Sequence, residues 1–225
     1  MDINLFLTII GIIGTVAYGI SGALVGIENK LDAFGVIVLG VITATGGGFL
    51  RDLILGVYNG GIVNVDNNFV IFSEWWYPLI GFGVSVIVFS IMWFIRELDW
   101  EDSPIYRRTY LIIDAIGLGT FVIVGALRAK NLGVEAPAIL IFFSVLTCVG
   151  GSMLRDILVC KIPVIFRKHI YAIAAIIGAV YFVFINMTGV DIWISSLTTI
   201  AIVVTIRILA AHYKWNFPKI HLKNE

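Results

Sequence analysis

Six charge-free stretches dominate the chain: Ile3 to Ile27, Ala33 to Leu50, Trp75 to Ile95, Ala136 to Leu154, Ile170 to Val190 and Ile192 to Ile206. A helix needs about 20 apolar residues to cross the hydrocarbon core of a bilayer, so runs on this scale predict a chain whose main solvent is lipid. Spanning β-strands would be about ten residues long with alternating polarity, which these runs are not. Composition agrees: 60% of residues are hydrophobic and 13% charged, against roughly 25% charged in a soluble domain. The first run is too long for the apolar core of a signal peptide and lacks a preceding basic segment, so it is read as a retained span.

With the intervening charged segments included, the pattern predicts an all-α polytopic membrane protein with seven spans at about 5–27, 33–57, 76–98, 109–130, 136–158, 169–188 and 190–211. One membrane domain, 1–225, fills the chain. The connections after spans one, three, five and seven carry Lys30, then Arg96, Arg107 and Arg108, then Lys161, Arg167 and Lys168, then Arg207, Lys214, Lys219 and Lys223. The opposite side has Arg128 and Lys130. This asymmetry predicts an external N-terminus and a cytoplasmic C-terminus.

Fifteen basic and fifteen acidic residues give zero net charge, which argues against nucleic acid as a partner. Cys148 reads as a small core residue and Cys160 as a boundary residue, with no structural disulfide between them. His169, His212 and His221 lie near expected span edges without acidic ligands at metal-binding spacing. Neither a metal set nor a nucleophile–base cluster stands out, so no enzyme is expected.

An internal repeat carries more information. Span two reads VITATGGGFLRDLILG and span five SVLTCVGGSMLRDILV, aligned at an offset of 104 residues, so Gly46-Gly47-Gly48 falls on Gly150-Gly151-Ser152 and Arg51-Asp52 on Arg155-Asp156. A weaker echo places Gly22-Ala23-Leu24 on Gly125-Ala126-Leu127 at 103. Each unit then has three spans, 5–98 and 109–188, and a three-span unit must be followed by one of inverted orientation. The seventh helix, 190–211, stands outside the repeat. Consecutive glycines have the backbone freedom to break or kink spans two and five near the midplane. They would equally suit close helix packing with no passage.

Arg51, Asp52, Arg155 and Asp156 are costly facing lipid and are expected to face protein, water or one another, as pathway charges or as ion pairs knitting the repeats together. Neighbouring residues point in different directions around a helix, which leaves pairing across the repeats open. Asp114 is expected near the Arg107-Arg108 boundary, either in the pathway or merely at the interface. Arg128 and Lys130 are expected at an external vestibule or snorkelling to headgroups.

On the segments ATGGGFLRDLILG and CVGGSMLRDIL, the chain resembles the prokaryotic branch of the trimeric intracellular cation (TRIC) channel family, which overlaps the bacterial glycine-transporter-like domain. The resemblance implies a homotrimer with a pore in each protomer, lined partly by kinked second and fifth helices and passing potassium and sodium. It assigns the helix break to Gly46, Gly47, Gly48, Gly150 and Gly151, with Ser152 departing from three glycines. Lys130 becomes a candidate gating charge, and the resemblance also implies placement in the plasma (inner) membrane and no obligatory cofactor. The expected function is a monovalent cation channel, in which a bulky residue at Gly47 or Gly151 lowers conductance without preventing assembly. The rival is a secondary transporter for glycine or another small zwitterion, since inverted repeats and broken helices also suit alternating access.

Overall fold

Lipid offers the peptide group no hydrogen-bond partner, so apolar runs of this length satisfy their backbone internally as helices. The structure, a computed structural model, describes residues 3–58, 74–95, 103–167 and 169–215, with the side chains of 57, 58, 167 and 169 left aside. Arg96, Lys168, Lys219, His221 and Lys223 therefore lie outside the described residues. The helices are α1 (Ile3–Glu28), α2 (Ala33–Tyr58), α3 (Trp76–Phe94), α4 (Pro104–Asn131), α5 (Pro137–Leu158), the short α6 (Val164–Arg167), α7 (His169–Met187) and α8 (Ile192–His212). Seven of them are long and apolar enough to cross a membrane.

Local chemistry explains several of the ends. Ser103 caps α4, its hydroxyl accepting from the Ile105 amide, with Pro104 in the first turn, where a missing N–H costs nothing. This cap starts α4 well before the expected 109, so the exposed Arg107 and Arg108 are helical residues projecting beyond the apolar segment. Asp191 caps α8 by accepting from the Trp193 amide at 2.8 Å. At the other ends, Lys30, Gly133, Cys160 and Lys214 adopt positive φ. The next amides, Leu31, Val134, Lys161 and Trp215, reach back to the carbonyls of Gly26, Ala129, Asp156 and Ala210, a left-handed stop that satisfies otherwise orphaned carbonyls. Gly133 has φ +87° and no atom within 4 Å of an added Cβ. Gly133→Ala is therefore expected to cost about 1 kcal/mol through backbone strain alone, read as a lower unfolding midpoint in detergent.

The centre of the bundle is α4, which packs on α1, α5, α7 and α8. Around it, α2 packs on α1, α3 and α5, and α7 on α5 and α8. α3 lies against α1 and α2 with most of its surface outward. Several buried hydroxyls are satisfied by their own helices: Thr15, Thr43, Thr147 and Ser144 each donate to the carbonyl four residues back, a local bond that an apolar surround favours. Cys148 is fully buried in the core, and Cys160 is exposed just beyond α5.

A candidate pathway between two buried charge clusters

The repeated glycines meet where α2 crosses α5. Both helices run uninterrupted through them, α2 from Ala33 to Tyr58 and α5 from Pro137 to Leu158. The expected break is thus not present as a gap in either helix: a broken ladder would strand polar groups among apolar neighbours, a larger penalty than the poor helix propensity of glycine. What the glycines supply is proximity. A Cβ on Gly47 would strike the Thr147 carbonyl, and one on Gly151 the Thr43 carbonyl. A Cβ on Gly150 would sit 3.1 Å from the Gly47 Cα, and Gly46 faces Leu154 and the Gly151 Cα. Gly48 turns away, meeting Arg51 Nη2 alone at 3.8 Å. Between these two backbones there is no room for an ion in this conformation.

A cluster of charged groups lies toward each end of the crossing. Toward the end of α2, the Arg51 Nε donates to Asp52 Oδ1 at 2.8 Å, and both side chains are buried. Nearby, Arg128 Nη2 on α4 contacts both oxygens of Glu74, just before α3, at 2.6 and 2.7 Å. A narrow cavity of about 40 Å³, bounded by Gly48, Arg51, Glu74, Tyr77, Arg128 and Thr147, runs from this pair toward the crossing; it has space for a few waters.

The second cluster is larger. Arg155 donates from Nε to Asp156 Oδ1 at 2.9 Å and from Nη1 to Ser21 Oγ at 2.8 Å, and its Nη1 lies 3.4 Å from Asp114 Oδ1. Ser21 donates to the same Asp114 oxygen at 3.1 Å. Arg207 on α8 donates from Nη2 to Asp114 Oδ2 at 2.8 Å, with its guanidinium carbon 4.3 Å from the centre of the Tyr171 ring. The Tyr171 hydroxyl donates to Ser152 Oγ at 3.0 Å, and Tyr18 donates to the Cys148 carbonyl. Asp156 Oδ2 accepts the Val164 amide at 2.9 Å, fixing α6. Beside the cluster opens a cavity of about 470 Å³ lined in part by Tyr110, Asp114, Tyr171, Arg207, Lys214 and Trp215.

Several expectations change. Each repeated Arg pairs with the Asp next to it, a long guanidinium stem folding back across the short carboxylate that follows, and Arg155 also reaches across the repeats to Ser21 of the first unit. Asp114 is not at the Arg107-Arg108 interface. Ten residues into α4, roughly 15 Å along its axis, it is 1% exposed and bridges two arginines. Arg128 joins the first cluster, but Lys130 is exposed and 3.5 Å from Asn186 on α7, apart from both. His212 is exposed in the last turn of α8.

Sequence reading missed Arg207, counted among the boundary cations, along with Ser21, Glu74 and Tyr171. The signal for Arg207 was the shortness of Ile192–Ile206. That run cannot cross a bilayer unless the helix continues through the arginine, which places a charge inside a span.

Fold and site together define a polytopic helical membrane protein of the channel and transporter class rather than an enzyme. The chain belongs to the glycine transporter family, whose model matches residues 8–93 and 111–187, and it has the fold of the TRIC channels. An inner membrane protein of Escherichia coli (strain K12), UPF0126 protein YadS, is 32% identical over 205 residues, 91% of this chain and 90% of that one. The TRIC orthologue from Rhodobacter sphaeroides superposes with a TM-score of 0.78 at 30% identity, covering 93% of this chain and 99% of that one. A second TRIC cation channel structure gives 0.78 at 29% identity, covering 97% and 98%.

Proposed function

We propose that the protein is a monovalent cation channel, passing potassium and sodium through a pore within each protomer of a homotrimer in the inner membrane. The observation that carries this reading is the line of buried polar groups, Arg51-Asp52 at one end and Arg155-Asp114-Arg207 at the other, meeting at a crossing held shut by backbone contact. Buried charges inside a spanning bundle are expensive and mark pathways by default. The likeness to TRIC channels over nearly the whole chain supports the same assignment. The N-terminus is external, so the larger cavity faces the cytoplasm, in keeping with the basic residues at that end.

The pathway is built by two inverted three-helix units, 5–98 and 109–188. Reciprocal contacts support this arrangement. Gly47 sits on Thr147 as Gly151 sits on Thr43, at an offset of 104, while Gly14 meets Phe121 as Gly117 meets Tyr18, at 103. A two-fold axis through the crossing generates such exchanges. Conduction requires the crossing to part, so the present arrangement is a closed one.

Purified protein in planar bilayers, recorded across potassium, sodium and chloride gradients, tests the proposal. Unitary currents reversing near the cation potentials are expected. Saturable glycine counterflow with no unitary current would instead establish a carrier, a reading favoured by a solute-sized cavity open at one end and closed at the other.

A further inference from the structure

Asp114 is held from three helices, and the hold is uneven. Its Oδ1 receives Ser21 of α1 and Arg155 of α5, and its Oδ2 receives Arg207 of α8. Arg155 is anchored three ways, to Asp156, Ser21 and Asp114. Arg207 has one charge-assisted hydrogen bond and the face of Tyr171, and its Nε is buried without a partner. A buried N–H left unsatisfied weakens the bound state of the side chain that carries it. Of the two arginines on Asp114, Arg207 is therefore the one that leaves at lower cost. Its helix is suited to that, since α8 packs on α4 and α7 along one side and presents most of its length outward.

Departure of Arg207 has two consequences. Arg155 with Asp156 and Arg207 with Asp114 sum to zero charge, so losing Arg207 leaves the cluster at minus one, with Asp114 on the wall of the 470 Å³ cavity. A cation arriving there meets a carboxylate instead of a guanidinium. Tyr171 also loses the cation on its ring while still bonded to Ser152, the neighbour of Gly151 at the crossing. The α8 charge thus touches both the entrance and, through Tyr171, the constriction.

We propose that Arg207 is the inner latch of the pathway and that Asp114 is the cation-binding carboxylate it covers. This deepens the channel reading and rests on it for its current readout, though not for its accessibility readout. Cys148 lies one turn before Ser152 on the same face of α5, fully buried, whereas Cys160 is exposed. With Cys160→Ser as background, Cys148 becomes the native reporter of opening beyond the latch.

Arg207→Gln is expected to raise the rate of Cys148 modification by a trimethylammonium methanethiosulfonate about tenfold, the factor for one charge-assisted contact, and to raise cation current at fixed voltage by a similar factor. Arg207→Lys, keeping the charge, is expected to stay near wild type. A neutral methanethiosulfonate should gain less than the cationic one, and adding Asp114→Asn to Arg207→Gln should erase that difference. A merely structural role for Arg207 would accelerate both reagents alike. Equal acceleration, or none, overturns the latch. If the wild type passes no cation current the channel reading falls, and the Cys148 rates still decide whether Arg207 closes the inner cavity.

Discussion

Gly47→Ala and Gly48→Ala, one residue apart in the same helix, are expected to give opposite results. At Gly47 the added methyl meets the Thr147 carbonyl, a backbone atom of α5 that no rotamer change can move. Overpacking a tight core usually costs about 1–3 kcal/mol. Here the colliding groups are both main chain, so relief requires the helices to separate along the crossing, and the loss is expected at or above the top of that range. Gly151→Ala should behave in the same way through the Thr43 carbonyl, and valine at either site should leave little monodisperse protein on size exclusion in detergent. At Gly48 an alanine has open space and gains about 0.8–1 kcal/mol of helix propensity, so the unfolding midpoint should hold or rise. Equal midpoints for Gly47→Ala and Gly48→Ala would mean that the crossing is looser than the backbone contacts imply. This outcome differs from what the helix-break reading anticipates, in which bulky residues reduce conductance yet assembly survives. The glycines hold two helices together before they do anything for an ion.

Asp114→Asn carries the second large effect. It removes the carboxylate that faces both Arg155 and Arg207, leaving Asp156 to Arg155 and taking from Arg207 its one acid among the described contacts. Breaking a buried pair by deleting one partner costs about 3–5 kcal/mol, because the remaining charge is stranded away from water. The variant is expected to unfold well below the wild type in detergent. Arg207→Leu in the same chain should recover a large part of the loss, since Arg155 keeps Asp156 and Ser21. A single Asp114→Asn protein with a wild-type midpoint would show that water in the neighbouring cavity solvates Arg207 well enough to replace its partner. The double variant separates these cases: recovery follows from stranding, and its absence from solvation.

The seven spanning helices were legible because lipid imposes one rule on the backbone, and apolar length alone meets it. The repeated Arg-Asp pairs were legible because their neighbours are apolar and their spacing is the same. Pairing was not. Whether Arg51 reaches Asp52 or an acid elsewhere depends on the rotamer of a long, flexible side chain, which spacing along a helix does not determine. Glu74 and Arg128 lie far apart in sequence and meet because α4 ends beside the start of α3. Ser21 is one hydroxyl among many in the apolar helices, and nothing near it in the chain marks it as the group that joins Arg155 to Asp114.

The sequence by itself determined that the protein lives in a membrane, that seven of its segments are helices of spanning length, and that small residues and charges recur in two corresponding spans. Each is a consequence of local composition and of the length needed to cross a bilayer. The tertiary structure decided what those residues do to one another. It chose close packing for the repeated glycines, gave Lys130 an exposed place beside Asn186, put Asp114 in the interior rather than at the interface, and brought Arg207 from the last spanning helix into the charge cluster. The physical reason is that a buried charge is settled by the partners three-dimensional packing brings within hydrogen-bond reach, and Asp114 draws its partners from helices far apart in the chain.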